Sequence, residues 1–323
     1  MAGFAPDASG DALVQVGMHA MEAYTGVEPG YRRAHARGIG LCGSFSATAA
    51  LTELTTAEHL QGEPVDVVVR LSNGGGSPHA PDQPSPGHGT VYGLGVVFAL
   101  PSGGRASWAA ASIATFPARV PAEFVEVTTA TRPGRSGKPS PLRVAGFVLR
   151  HPHDLAGLRA IGSAPAMPSF ANVTFNGLHA YYLIGPDGSR RAFRYSWQPD
   201  PGAAPLPPEQ SAALDPLYLT GEISERLGRG PVSWTLTFTF ANDGDPLDDV
   251  TKLWPDNRTT IEAGKLTVDR VHEDQDTVEA TVFDPTGVTV GIECGPDPLL
   301  HYRAQIYSES YSRRQRETIA GVS

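Results

Sequence analysis

The sequence predicts an α+β protein: an antiparallel sheet or closed barrel with helices packed outside it. Three observations carry this reading. The 323 residues include 36 glycines and 29 prolines, a turn-rich composition that suits a β-containing chain better than a helical bundle. Six or more strand-like segments follow one another without regular helical crossovers, which favours antiparallel pairing. Residues 233–240 alternate strictly with period two, as a half-buried strand does.

In chain order, residues 12–24 read as an amphipathic helix whose apolar members are Leu13, Val16, Met18, Ala20 and Met21. The glycines of residues 31–48 break any helix, and the segment ends as a strand entered through a turn. Residues 64–73 form a short strand that runs into Gly74-Gly75-Gly76. Residues 89–98 form another, glycine-rich as where a backbone or ligand approaches closely. Residues 170–184 and 191–198 alternate like a hairpin around Gly185-Pro186-Asp187-Gly188. A proline-rich link over 199–208 leads to a helix over 210–227, and 252–280 is mostly loop and strand. Asp297 is an N-cap acceptor and Pro298 fits the first helical position, so the last helix runs from 298 to about 316.

The formal net charge is −9, so nothing suggests a nucleic acid as partner. Basic residues do gather in the last helix and at Arg32, Arg33 and Arg37, which suits a small anion such as a carboxylate. Cys42 and Cys294 make neither a metal spacing nor a disulfide framework. The first seven residues lack the basic and apolar regions of a secretory signal. No stretch approaches the ~18 apolar residues of a membrane span. A soluble, cytoplasmic protein is expected, and length alone allows one domain or two. Gly74-Gly75-Gly76 lacks the Lys-Ser or Lys-Thr of a phosphate loop and reads as a flexible loop. His79, His88, His151 and His153 read as solvated loop histidines, with no Cys, Asp or Glu at ligand spacing.

On the last helix Arg303 and Tyr307 lie four apart and share a face, which Arg314 rejoins seven residues later. Taken alone, this stretch reads first as an amphipathic terminal helix with a solvated arginine cluster. The alternative is chemical: a fixed positive charge beside a phenol favours the phenolate, and a phenolate is one of the few side chains that hold ferric haem iron.

Three segments in order decide between these. Arg32-x-x-His35-Ala36-x-Gly38, then Val69-Arg70-Leu71-Ser72, then Arg303-x-x-x-Tyr307 resembles the haem catalases. Leu253-Trp254-Pro255-Asp256 with Glu262-x-Gly264-x-Leu266 looks like that family's wrapping loop, and Gly177-Leu178-His179-Ala180-Tyr181 like one of its barrel strands. The resemblance implies one catalase-like domain over 1–323, with a barrel over about 40–290, a wrapping loop over about 199–265 and a haem-ligand helix over 298–316. It implies haem b, with ferric iron held by Tyr307 and Arg303 as the charge partner of that ligand. His35 matches the acid–base that moves a proton between the peroxide oxygens, and Ser72 the hydroxyl that orients its ring. Arg32, Arg70 and Arg314 match the arginines that pair with the haem propionates. Phe124 matches an aromatic on the haem face.

The departures matter as much. The family's distal asparagine falls at Ala111, with Ser112 beside it, and the arginine and aspartate of the channel strand are replaced by Tyr92 and Thr90. The chain is short for a catalase and looks like the minimal catalase-related peroxidases, without the long N-terminal arm or an extra C-terminal domain. The resemblance therefore implies a haem peroxidase that reduces hydrogen peroxide or an organic hydroperoxide at the expense of a small-molecule electron donor, with a homodimer expected. Two alternatives stay open: a true catalase, and a fatty-acid hydroperoxide isomerase of the allene oxide synthase type.

Overall fold

The computed structural model describes residues 10–84 and 89–321; His88 and the first seven residues lie outside them. Its elements are α1 (Gly10–Thr25), β1 (Gly38–Ala47), β2 (Val65–Asn73), β3 (Tyr92–Ala99), β4 (Arg105–Ala111), α2 (Pro121–Thr131), α3 (Pro141–Arg150) and α4 (Leu155–Gly162), followed by β5 (Phe175–Ile184), β6 (Arg190–Pro199), α5 (Pro208–Ser211), α6 (Tyr218–Leu227), β7 (Val232–Phe240), β8 (Thr260–Val271), α7 (Gln275–Ala280), β9 (Ile292–Cys294) and α8 (Pro298–Ile319). Strands β1 to β8 each pair with the next in sequence, and β8 returns to β1, so they close an antiparallel barrel. The seam between β4 and β5 is a single residue pair, Ala111 with Asn176. Further along it the Tyr195 hydroxyl donates across to the Ala109 carbonyl at 3.0 Å, and β9 takes over the free edge of β5.

Period-two alternation fixes what faces inward. On β7, Val232, Trp234, Leu236, Phe238 and Phe240 are buried in turn while the residues between them are partly exposed. Together with Phe45, Phe98, Trp108, Phe193, Tyr195 and Trp197 they fill the barrel with one apolar core. The Trp108 and Tyr195 rings lie 4.6 Å apart and those of Phe193 and Phe238 4.4 Å. The interior is therefore packed rather than open, as expected for eight strands.

The same alternation places other residues outside. Val67, Val69 and Leu71 of β2 join the core, which turns Arg70 and Ser72 outward. Leu94 and Val96 of β3 point in, so Gly93 and Gly95 point out. Helices α1, α2 and α8 cover this outer face through a second apolar cluster that includes Met18, Val127, Leu178, Tyr302 and Ile306. No helix of the described residues is long and apolar enough to cross a membrane.

Several element expectations need correction. The helix expected over 210–227 is broken into α5 and α6, because Pro216 has no N–H to give and disfavours helical backbone at Asp215 before it. The stretch expected as a wrapping loop contains both of those helices, all of β7 and the start of β8. Residues 252–280 contain the expected strand, β8, but end in the helix α7, which departs from the loop expected there. Strand β4, helices α2 to α4 and the short β9 were not anticipated as elements.

Candidate active site

A cavity of about 260 Å³ lies between the outer face of β2–β5 and helices α2 and α8. Most of its wall is apolar, including Val91, Ile113, Phe116, Phe124, Leu178 and Phe283. The same wall also carries Arg32, His35, Arg70, Ser72, Arg303, Tyr307 and Arg314, bringing together every site residue expected from sequence.

His35 sits on the segment between α1 and β1 with φ of +56°, the single non-glycine residue at positive φ among the described residues. Such backbone is sparsely populated and persists where its surroundings hold it. Here the triple-glycine segment does so: Gly74 and Gly75 carbonyls accept from the backbone N–H of His35 and Ala36 at 3.3 and 2.9 Å. That segment is hydrogen-bonded scaffold, not the flexible loop expected. The His35 Nδ1 lies 3.0 Å from the Ser72 hydroxyl, whose own proton points to the Gly93 carbonyl at 3.4 Å. Nδ1 is thus the donor, and Nε2 is left as a lone pair. Burial, then the charges of Arg70, Arg303 and Arg32, lower the His35 pKa to about 3, so the ring is neutral. A Cβ on Gly93 would stand 2.7 Å from the His35 ring and 2.9 Å from the Ser72 hydroxyl. Only glycine fits there.

At another edge of the cavity three guanidiniums converge on Glu279, two on its carboxylate and one on its backbone carbonyl. Glu279, at the end of α7, accepts from Arg70 Nε at 2.7 Å and from Arg32 Nε at 3.2 Å. Arg314 Nη1 donates to its backbone carbonyl at 2.8 Å, and Arg314 Nε is buried without a partner. Burial and the neighbouring Arg32 lower the pKa of both Arg70 and Arg314 to about 10. Three cations against one anion leave a surplus of positive charge that suits further carboxylates. Arg33 and Arg37, grouped with Arg32 in the sequence, do not share this role. Arg33 is buried against Glu22 and Glu317, and Arg37 is paired with Asp82.

Tyr307 lies one helical turn beyond Arg303 on α8. Its phenol oxygen accepts from Arg303 Nη2 at 2.8 Å and from Nε at 3.3 Å. Behind them runs a chain that sequence reading missed. Arg303 Nη1 donates to His179 Nε2 at 2.8 Å, and His179 Nδ1 donates to Asp297 Oδ2 at 2.7 Å. The other oxygen of Asp297 caps α8 by accepting from the Leu299 N–H at 2.8 Å. Burial lowers the His179 pKa to about 4 despite Asp297, which keeps the ring neutral and able to accept from Arg303. His179 reaches this position through an irregularity in the β5–β6 register between Gly177 and Tyr181. Asp297 was visible as a cap and His179 as part of a strand motif, but nothing in the sequence linked them.

The remaining candidates fall as follows. Phe124 stacks on Phe116 with centroids 6.1 Å apart and lines the cavity. Ala111 presents a methyl group to it, and among the described residues no asparagine or glutamine lines it. Ser112 is turned away, its hydroxyl accepting from the Tyr92 N–H at 2.9 Å. Tyr92 itself does not line the cavity. It points into the barrel, where its hydroxyl donates to the Asp82 carbonyl at 3.0 Å. Cys42 and Cys294 are free. His79 is exposed as expected, but His151 and His153 are half-buried against Glu123 and Glu126.

Comparison with known proteins agrees with this geometry. The Catalase family model matches residues 24–320. A catalase-related peroxidase of Mycolicibacterium paratuberculosis is 34% identical over 318 residues, covering 97% of this chain and 95% of that protein. Another, from Synechococcus elongatus, is 32% identical and covers 93% and 88%. Among solved structures, a bacterial catalase superposes with a TM-score of 0.76 at 20% identity over 89% of this chain and 58% of its own. Catalase A of Saccharomyces cerevisiae gives 0.76 at 19% over 89% and 62%. The chain thus spans about three fifths of the length of those catalases, with their fold. By sequence and by fold alike, it belongs to the catalase family.

Proposed function

We propose that the protein is a haem-dependent peroxidase that reduces hydrogen peroxide or an organic hydroperoxide and oxidises a small donor. The observation that carries this reading is one cavity walled by three groups: a neutral, hydroxyl-oriented His35, the Arg303–Tyr307 pair, and a surplus of guanidinium charge at Arg32, Arg70 and Arg314. The donor set fits haem b. Tyr307 would hold the iron, with Arg303 favouring the anionic phenolate. The unpartnered Nε of Arg314 and the charge excess around Glu279 would take the propionates. Phe124 would pack against the macrocycle. Bound there, haem supplies a redox-active iron that stores two oxidising equivalents from peroxide until the donor returns two electrons.

The chain's own residues handle the protons. The His35 Nε2 lone pair accepts a proton from one peroxide oxygen and delivers it to the other, which leaves as water or an alcohol. A neutral imidazole with Nδ1–H anchored on Ser72 suits that task. Two features favour a peroxidase over a catalase: the methyl of Ala111 stands where the family's distal amide helps hold peroxide, and two relatives above 30% identity are named catalase-related peroxidases.

An oxygen electrode run beside a dye-oxidation assay tests this. Rapid donor oxidation with little oxygen release is expected. Vigorous oxygen release from hydrogen peroxide alone would favour a catalase, and conversion of a fatty-acid hydroperoxide without a donor would favour an isomerase.

A further inference from the structure

Away from the cavity, a second cluster of chemistry-bearing groups sits where α2 meets the junction of α3 and α4. Glu123 lies in the first turn of α2, His151 ends α3, and His153 and Asp154 occupy the 3-10 turn that leads into α4. One ligand atom from each of the four lies within 4.8 Å of every other. His151 Nδ1 is 3.4 Å from Glu123 Oε1, His153 Nε2 is 3.3 Å from the same oxygen, and His153 Nε2 is 3.3 Å from Asp154 Oδ1. Tetrahedral coordination with bonds of ~2.0–2.2 Å has edges of about 3.3–3.6 Å, so these three separations match edges of one metal ion's ligand shell.

Asp154 supplies the independent observation. It is fully buried, and both of its carboxylate oxygens lack a hydrogen-bond partner. It occupies the N-cap of α4, where aspartate ordinarily accepts from the helix's first N–H groups, yet its side chain makes no capping bond. A buried carboxylate that neither caps nor hydrogen-bonds is costly unless a cation meets it. His151 is also oriented as a ligand: its Nε2 is held by Glu126 Oε2 at 3.1 Å, which turns Nδ1 towards the cluster. Metal-bound imidazoles commonly donate their other N–H to a carboxylate in this way. Glu123 is fixed in turn, its Oε2 accepting from the Arg119 N–H at 2.7 Å.

We propose that Glu123, His151, His153 and Asp154 form a site for a divalent transition-metal ion of the zinc class, separate from the active-site cavity. Two imidazoles and two carboxylates suit such an ion better than the all-oxygen preference of calcium or magnesium. All four positions are taken by side chains, so the site is structural. It ties the first turn of α2 to the α3–α4 junction. Phe124, next to Glu123, lines the cavity, so the ion steadies that wall.

The test is zinc content by elemental analysis, followed by zinc titration calorimetry of the chelator-washed full-length protein. The wild-type chain is expected to take one zinc per chain. His153→Ala and Asp154→Asn are expected to weaken binding more than the about 10–100-fold that an outer partner such as Glu126 contributes. His79→Ala, on an exposed loop, should leave it unchanged. Zinc should raise the melting temperature of the wild type and of His79→Ala but not of His153→Ala. His153 is partly exposed, so that variant reports on binding even if Asp154→Asn folds poorly. No zinc in the wild type, or equal zinc binding by wild type and His153→Ala, would overturn the proposal. Zinc content does not depend on peroxide chemistry: a chain that bound zinc but no haem would retain this site and lose the proposed function.

Discussion

At the scale of single residues, the site depends on groups held in states they would not adopt in water. His35 is kept at positive φ by the Gly74 and Gly75 carbonyls and kept neutral by burial among arginines. Replacing it with alanine is expected to leave the cavity intact but slow peroxide consumption by about 10²–10⁴-fold, the size of a lost acid–base; stopped-flow mixing with peroxide measures this. Tyr307→Phe keeps the ring and removes the oxygen that Arg303 addresses. That variant is expected to lose haem or its ferric spectrum, with a loss of affinity larger than the about 10–100-fold typical of supporting residues; haem content per chain checks it. Motif spacing marks both residues in the sequence, and both line the same cavity. Glu279 carries no such mark. It lies on the short helix α7, in a stretch without clear periodicity, and its role arises only when Arg32, Arg70 and Arg314 meet there.

At the scale of elements, α8 and β5 are joined by one carboxylate. Asp297 caps α8 with one oxygen and orients His179 with the other. Asp297→Ala therefore removes a cap, about 1 kcal/mol, and leaves the buried His179 N–H unpaired, about 1–3 kcal/mol more. A loss of about 2–4 kcal/mol is expected in denaturant unfolding. A loss below 1 kcal/mol would mean that the chain from Asp297 to Tyr307 is not coupled as described. Helix starts with a cap and proline, like that of α8, could be read from sequence because the signal is local. Strand β4 could not, since the alanines on either side of Trp108 show no alternation; α2 and α3 start on a proline without a side-chain cap, and α4 spans only eight residues. Pro216 marks the break between α5 and α6, against the apolar spacing on either side of it.

At the scale of the molecule, alternation within each strand gave the barrel's layers, whereas its closure rests on one pair between β4 and β5 that no local pattern encodes. The closed core also buries a histidine that the active site does not use. His59 is fully buried against the Phe98 and Trp108 rings, with centroids 4.6 and 5.7 Å away. Burial lowers its pKa to about 3, like that of His35, while His179 falls to about 4. The unfolded chain binds protons at all three below about pH 6.5, and the folded chain does not until pH 3–4. Stability is thus full above that unfolded value and falls as pH drops through the window, by about 2 kcal/mol for each histidine at pH 5. Thermal melts at pH 7 and pH 5 should differ accordingly, and equal melting temperatures would refute the neutral assignment.

The central claim is that this catalase-family barrel holds a ferric haem on Tyr307. An absorption spectrum of the chain purified after expression with a haem supply tests it most directly. A Soret band with the pattern of five-coordinate, phenolate-bound ferric iron is the expected result. A protein that folds, remains intact and shows no Soret band would contradict the account.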